Sequence, residues 1–143
     1  MAVSAFNKFN VFTKDVTEGK HDFATHVFKW MLTNTAPVAT NTVKANITEI
    51  TAANGYPAGG PAATITKANA AGVETVSAAQ ANIAATGAVG PFRYAVLYND
   101  TQTTPVKPLV GWVDYGAALT LAADDSLAVK ANNANPGALF TVT

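Results

Sequence analysis

The stretch "PFRYAVLYNDTQTTPVKPLVGWVDYG", residues 91–116, decides the fold because it carries five aromatic residues in two runs of alternating side chains. In the first run, two sets of side chains alternate along the chain. One set is Phe92, Tyr94, Val96 and Tyr98, and the other is Arg93, Ala95, Leu97 and Asn99. Successive residues of a strand point to opposite faces of its sheet, so this run predicts a strand whose aromatic face lies in the core. In the second run, Val110, Trp112 and Asp114 fall on one face of a second predicted strand.

Arg93 and Asp114 are the two charged residues of these strands that raise the question of catalysis. Asp114 shares its predicted face with Trp112, and a half-buried carboxylate needs a partner, for which Arg93 is a candidate. A catalytic carboxylate would need a second acid or base, or an activated nucleophile, beside it, and the sequence offers no obvious one. We therefore predict a structural ion pair and no catalytic residue.

The rest of the chain repeats the pattern of short alternating runs separated by Gly, Pro, Asn and Asp. In "THVFKWMLT", one face would carry His26, Phe28, Trp30 and Leu32. The alanine-rich segment 77–86 favours a helix by propensity alone, but a lone short helix has little stability, so we predict a strand there. The sequence predicts an all-β fold of roughly eight to ten antiparallel strands, as a β-sandwich or jelly roll.

The chain length of 143 residues fits one domain, which we assign to residues 14–143. Residues 1–13 form a predicted N-terminal arm, in which Phe6, Phe9 and Phe12 recur at every third position. Three Phe side chains at a chain end are not expected to lie free in water. The arm is therefore expected to pack on its own domain, on a neighbouring subunit or on another protein.

Composition argues against several classes of partner. Nine Lys plus Arg balance nine Asp plus Glu, and only 13% of residues are charged, so we expect no binding to nucleic acid or to an anionic membrane. No apolar run approaches the roughly 18 residues of a membrane-spanning helix. The first residues lack the features of a secretory signal, which predicts synthesis in the cytoplasm. A surface of low charge also permits self-association.

The search for metal and catalytic sites finds little. The chain has no Cys, and His21 and His26 are five residues apart, which would place them on opposite faces of a strand. A metal site needs three or four convergent ligands, so we expect no metal and no cofactor. The only nucleus of an enzyme site that the residues offer is the set Asp22, His26, Arg93 and Asp114. We predict that the protein is not an enzyme.

A resemblance adds to this interpretation. The order of "FNKFNVFTKDV", "TNTV", "NGYPAGG", "GPFRYAVLYNDT", "KPLVGWVDYG" and the final "LFTVT" resembles small tailed-bacteriophage virion proteins, the head decoration or cement proteins. The resemblance spans nearly the whole chain and rests on structural phrases, without a catalytic motif. It implies a virion protein, made in the host cytoplasm, that binds the major capsid protein on the outside of the assembled head. It also implies a homo-oligomer, with a trimer as the expected geometry.

Chain ends and long loops can reach beyond a sandwich, so they are the candidate contacts with a partner. The candidate contact residues are Phe6, Phe9, Phe12 and Tyr56, with the loops "NGYPAGGP", residues 54–61, and "NDTQTTPVKP", residues 99–108. An alternative function is a phage tail module or a receptor- or glycan-binding module. That alternative would need Tyr56, Tyr98 and Tyr115 exposed together as a platform for a sugar.

Overall fold

A computed structural model describes residues 4–143 and shows a chain built mainly from strands. The strands are β1 (Asn7–Lys8), β2 (Phe28–Thr33), β3 (Ala62–Ala63), β4 (Ile65–Ala70), β5 (Val73–Ala78), β6 (Ala81–Ala84), β7 (Val89–Asn99), β8 (Leu109–Leu121), β9 (Ser126–Val129) and β10 (Gly137–Val142). The helices are α1 (Val11–Thr17) and two short 3-10 helices, Lys44–Asn46 and Ala131–Asn133. Residues 77–86 are strand rather than helix over most of their length, as predicted.

The strands form three sheets in which every pairing is antiparallel. The largest sheet has the order β1-β8-β7-β2-β3, and the two smaller sheets have the orders β10-β5-β4 and β6-β9. The main core includes inward-facing residues of all three sheets, among them Trp30 of β2, Val76 of β5 and Ile83 of β6. The predicted all-β, sandwich-like fold is confirmed.

A second apolar cluster covers the outer face of the five-stranded sheet. It contains Phe9, Met31, Ile47, Val96, Tyr98 and Leu109, with Val11 and Trp112 packed against it. The central strands β2, β7 and β8 are therefore buried on both faces along much of their length. This double burial explains why their sequences are apolar almost without interruption, whereas a strand with one wet face alternates.

Two irregularities in the pairing of β7 with β8 correct the predicted faces of these strands. The register shifts between Phe92 and Tyr94, so Phe92 joins Ala95 and Leu97 in the main core and does not share the face of Tyr98. Between these two pairs β7 advances two residues whereas β8 advances five, from Leu119 to Asp114, so the regular alternation of faces is interrupted at this point. The prediction of one continuous aromatic face was wrong for this reason.

A second shift in the same pairing falls where Leu97 pairs with Gly111 and Tyr98 with Leu109. The extra residue, Val110, points into the main core, whereas Trp112 packs on the outer cluster. The prediction that Val110 shares a face with Trp112 and Asp114 was therefore wrong.

The N-terminal arm packs on its own domain. β1 pairs with the edge of β8, and the Phe6 ring meets Trp30 edge-on at 6.0 Å between ring centroids. Phe9 lies on the outer side of the sheet, with its ring centroid 4.6 Å from that of Trp112. Phe12 lies in the main core. The arm thus wraps the edge of the sheet, and α1 crosses the boundary predicted at residue 13. Residues 1–3 of the predicted arm lie outside the described residues.

Candidate functional site

The two loops predicted to contact a partner meet beside β2 of the five-stranded sheet. The hydroxyl of Tyr98, near the end of β7, donates a hydrogen bond of 2.8 Å to the carbonyl oxygen of Gly59. This bond pins loop 54–61 beside the point where loop 99–108 begins. Five charged residues surround the junction of the two loops, and we call them the charged network: Lys29, Lys44, Glu49, Asp100 and Lys107.

Glu49 is the centre of one half of the charged network. Its carboxylate accepts hydrogen bonds from the Tyr56 hydroxyl at 2.7 Å, the Gly59 N–H at 2.7 Å and the Lys44 ammonium at 3.0 Å. Burial would raise the pKa of Glu49, but these three donors outweigh burial and lower it. The Tyr56 hydroxyl also accepts the N–H of Leu32 at 2.9 Å, which ties the network to β2.

Asp100 is the centre of the other half. It accepts the ammonium groups of Lys29, at 3.0 Å, and Lys107. Burial would raise the pKa of Asp100, but the hydrogen bonds from Lys107 and Lys29 outweigh burial and lower it. The Lys44 ammonium lies 5.6 Å from the centre of the Tyr98 ring, within the range of a cation–π contact. The network therefore joins β2, both loops and the segment around residue 44 into one surface.

An apolar groove of about 390 Å³ adjoins the charged network and shares Lys44, Glu49 and Lys107 with it. The groove is also lined by Val43, Ala45, Ile47 and Val106. Val106 is 61% exposed, so its side chain is open to a partner at the groove. With two lysines and one carboxylate, Lys44, Lys107 and Glu49, the rim of the groove carries an excess of one positive charge. An apolar floor with a charged rim resembles the apolar core and polar rim of protein–protein interfaces.

The sequence did not single out the charged network, although it did single out the loop that carries Asp100 and Lys107. Its ion pairs join residues as far apart as Lys29 and Asp100, and pairs at such separations have no signature in the local pattern. The available signal was the cluster of glycines and prolines in loop 54–61, which marks a turn able to approach a neighbouring strand closely. Gly60 fits that signal, since its φ is +84° and a side chain there would collide with the Trp30 carbonyl oxygen.

Asn99, at the end of β7, organises a second polar cluster. Its amide nitrogen lies 2.8 Å from His26 Nδ1 and 3.3 Å from His21 Nδ1. Its amide oxygen accepts the N–H groups of Thr101 and Gln102, which starts loop 99–108. Burial, with a smaller contribution from His26, lowers the pKa of His21 to about 4. Both imidazoles thus act on the residue that positions the loop.

The predicted separation of the two histidines on opposite faces of a strand was wrong. β2 begins only at Phe28, and the chain before it turns at Asp22, whose carboxylate accepts the Ala24 N–H at 2.8 Å. The Asp22 carbonyl oxygen accepts the His26 N–H at 2.9 Å, so the turn brings both rings to the same place. The signal for this turn was an Asp followed by a Thr three residues later, because the Thr25 hydroxyl donates to Asp22 at 2.6 Å.

Arg93 and Asp114 form an ion pair across β7 and β8, with two hydrogen bonds of 2.9 and 3.2 Å. The guanidinium also lies 5.4 Å from the centre of the Tyr94 ring. The hydrogen bond from Arg93 holds the pKa of Asp114 below its usual value. Arg93 is six residues before Asn99 on β7, which corresponds to about 20 Å along a strand. The ion pair and the His26 cluster are therefore separate and do not form one catalytic site.

Most aromatic residues predicted to contact a partner are buried inside the chain, so that prediction is corrected. Phe9, Phe12 and Tyr56 are 1%, 3% and 2% exposed, and they stabilise the fold instead. Phe6 is half-buried against the main core. Tyr98 and Tyr115 are also buried, so with Tyr56 they form no exposed platform for a sugar. Burial raises the pKa of all three tyrosines.

Two kinds of feature are absent from residues 4–143. No group of three or more His, Cys, Asp or Glu side chains in this range is arranged to hold a metal ion. No helix in the same range has both the length and the apolar character needed to cross a membrane. In comparisons with known proteins, no family model, no curated protein and no solved structure matches the chain.

Proposed function

We propose that this protein is a non-enzymatic structural protein of a bacteriophage virion. In this role it binds the major capsid protein on the outer surface of the assembled head and stabilises the shell. The observation that carries the proposal is the junction of loops 54–61 and 99–108, held together by the charged network beside an apolar groove. The resemblance of the sequence to head decoration proteins supplies the class of partner.

The charged network suits this role because it orders the loops before any partner arrives. Side chains and loops that are already fixed lose less conformational entropy on binding, so more of the contact energy appears as affinity. Four of the five charged side chains are only 20–29% exposed, and each has at least one ion-pair partner. The groove floor then offers apolar area, and the lysines at its rim favour a partner surface with carboxylates.

A capsid lattice also suits a contact of modest size. The lattice presents the same site many times, so an oligomer that engages several capsid subunits gains avidity from contacts that are weak individually. A homo-oligomer of the head-bound protein, with three copies as the geometry that the resemblance implies, remains part of the proposal. It would place several grooves on one particle.

The experiment that tests the contact surface compares two valine variants in binding to expanded heads from the virus that encodes the chain. Val106→Asp places a carboxylate in the groove at a side chain that is 61% exposed, so the fold should tolerate it. We expect binding to heads to weaken about tenfold or more, as for a contact residue that loses its apolar packing. Val142→Asp, at a valine that is 52% exposed on β10, is the matched control and should bind as the unmodified protein does.

Equal binding by the two variants would remove the groove from the proposal. Absence of head binding by the unmodified protein would favour a role at the phage tail or in receptor binding, without the tyrosine platform. Both measurements are made by sedimenting heads with bound protein and measuring the amount in the pellet.

A further inference from the structure

The hairpin of β4 and β5 extends beyond the core of the protein. Residues 66–73 are all exposed, whereas Ile65, Val76 and Ala78 anchor the hairpin base in the core. Ala71 and Gly72 form its two-residue turn, with positive φ angles of 51° and 82°. β4 is the last strand of its sheet. The hairpin therefore presents a free strand edge to solvent.

The hydrogen-bond pattern of the hairpin determines which backbone groups point outward from β4. In a hairpin with a two-residue turn, the flanking pair Ala70–Val73 bonds across the strands, and bonded pairs then alternate with non-bonded pairs. By this alternation Thr64 and Ala79 form a bonded pair, and the Ala79 N–H does donate a hydrogen bond of 2.8 Å to the Thr64 carbonyl oxygen. Lys67 and Asn69 are in non-bonded pairs, so their N–H and C=O groups face the open edge.

Within residues 4–143, no other strand pairs with this edge of β4. At the opposite edge of the same sheet, a backbone group already has a partner within the chain. The Asn132 side chain donates a hydrogen bond of 2.6 Å to the Ala138 carbonyl oxygen of β10. Edge strands are usually protected from pairing with another chain by prolines, bulges or several charged residues. β4 has a regular register with β5, no proline and one charged residue, Lys67.

We propose that two copies of the chain pair through β4, antiparallel and about a two-fold axis, with Lys67 of each copy opposite Asn69 of the other. In this register the outward N–H and C=O groups of both residues meet their counterparts, which gives four backbone hydrogen bonds. The axis passes between the two Ala68 residues, whose small side chains allow close approach. A shift that places Lys67 opposite Lys67 would bring like charges together, which is unfavourable.

Charge complementarity supports this register. Asn69 pairs with Glu74 of β5, so Glu74, Asn69 and Lys67 of the second copy lie on one row across the joined sheet and point to the same face. Two strand spacings separate Glu74 from that Lys67, about 9.5 Å between backbones, which the two long side chains can bridge. Among the described residues, neither Lys67 nor Glu74 has an ion-pair partner within its own chain. The dimer supplies one to each.

This contact involves none of the residues of the groove or the charged network, so it is independent of the proposed binding to heads. It also differs from the trimer that the resemblance implies, because antiparallel pairing of identical strands is a two-fold contact. Failure of the dimer would therefore leave the proposed function standing, and failure of head binding would leave the dimer standing.

Sedimentation velocity over a wide range of protein concentrations tests the dimer. We expect a reversible equilibrium between the 14.7 kDa chain and a species of twice that mass. Lys67→Glu and Glu74→Lys should each weaken self-association about tenfold, because each replaces two attractive contacts per dimer with repulsive ones. The double variant, with both charges exchanged, should restore the association of the unmodified protein. Lys8→Glu, at an exposed lysine on β1, is the control for the change in net charge and should have no effect.

A single 14.7 kDa species at every concentration would overturn the proposal. It would also be overturned by self-association that Lys67→Glu and Glu74→Lys leave unchanged, including a trimer insensitive to both. Weakening by both single variants without recovery in the double variant would overturn the register with Lys67 opposite Asn69.

Discussion

His21 is a buried residue whose protonation the fold opposes. It is 8% exposed, its Nε2 has no hydrogen-bond partner among the described residues, and its Nδ1 faces the amide of Asn99. Burial lowers the pKa of His21 to about 4, whereas an unfolded histidine titrates near pH 6.5. A proton on this ring would lie close to His26 and to the side-chain amide of Asn99, whose oxygen starts loop 99–108. The loop and the histidine cluster therefore share one polar centre.

The free energy of unfolding should decrease as the pH is lowered from about 6.5 to 4. In this range the unfolded chain binds a proton at His21, whereas the folded chain does not. We expect the His21 contribution to the free energy of unfolding to be lower by about 2 kcal/mol at pH 5 than at pH 8. Urea unfolding at both pH values gives the change in the free energy of unfolding between pH 5 and pH 8 for the unmodified protein and for His21→Gln. The difference between these two changes is the His21 contribution.

Asp15 acts with the opposite sign, since burial raises its pKa and the stability that it contributes is lost as the pH rises. The comparison with His21→Gln removes this contribution, because both proteins keep Asp15. An equal pH effect in the two proteins would contradict the assignment to His21.

The N-terminal arm is an element on which large stability effects are expected. Phe9 and Phe12 are 1% and 3% exposed and lie in the two different apolar clusters, on opposite sides of the same sheet. Phe9→Ala should lower the free energy of unfolding by about 3 to 5 kcal/mol, the usual cost of removing a buried ring. Lys8→Ala, at the exposed neighbour, should change it by less than about 0.5 kcal/mol.

Urea unfolding midpoints of these variants measure the effect. If Phe9→Ala and Lys8→Ala were equally stable, the arm would not belong to the folded core.

Most strands of the fold were predictable, because most alternating runs between turn residues form strands close to the predicted positions; the run at residues 41–50, also expected to be a strand, instead holds the 3-10 helix Lys44–Asn46. The faces of β7 and β8 were not, since the irregularities at Phe92 and Val110 depend on how two strands pair and not on either sequence alone. The Arg93–Asp114 pair was predictable because each residue interrupts an apolar strand and needs a partner. The charged network was not, because its partners come from distant loops whose approach only the folded chain determines.

For the whole molecule, the two proposed surfaces lie on different parts of the chain. The groove and charged network sit on the outer face of the five-stranded sheet, whereas the free edge of β4 belongs to a smaller sheet. A chain with two such surfaces can bind a partner through one and a second copy through the other. On a symmetric shell this arrangement would link neighbouring sites, which is how a small protein stabilises a large assembly.

The proposed binding to the outside of an assembled phage head is best tested by the number of copies bound per head at saturation. Expanded heads from the same virus are mixed with increasing protein and sedimented, and the bound copies are counted from the pellet. We expect saturable binding at a number fixed by the symmetry of the lattice. Binding that is absent, or that rises with concentration without reaching a lattice number, would contradict it.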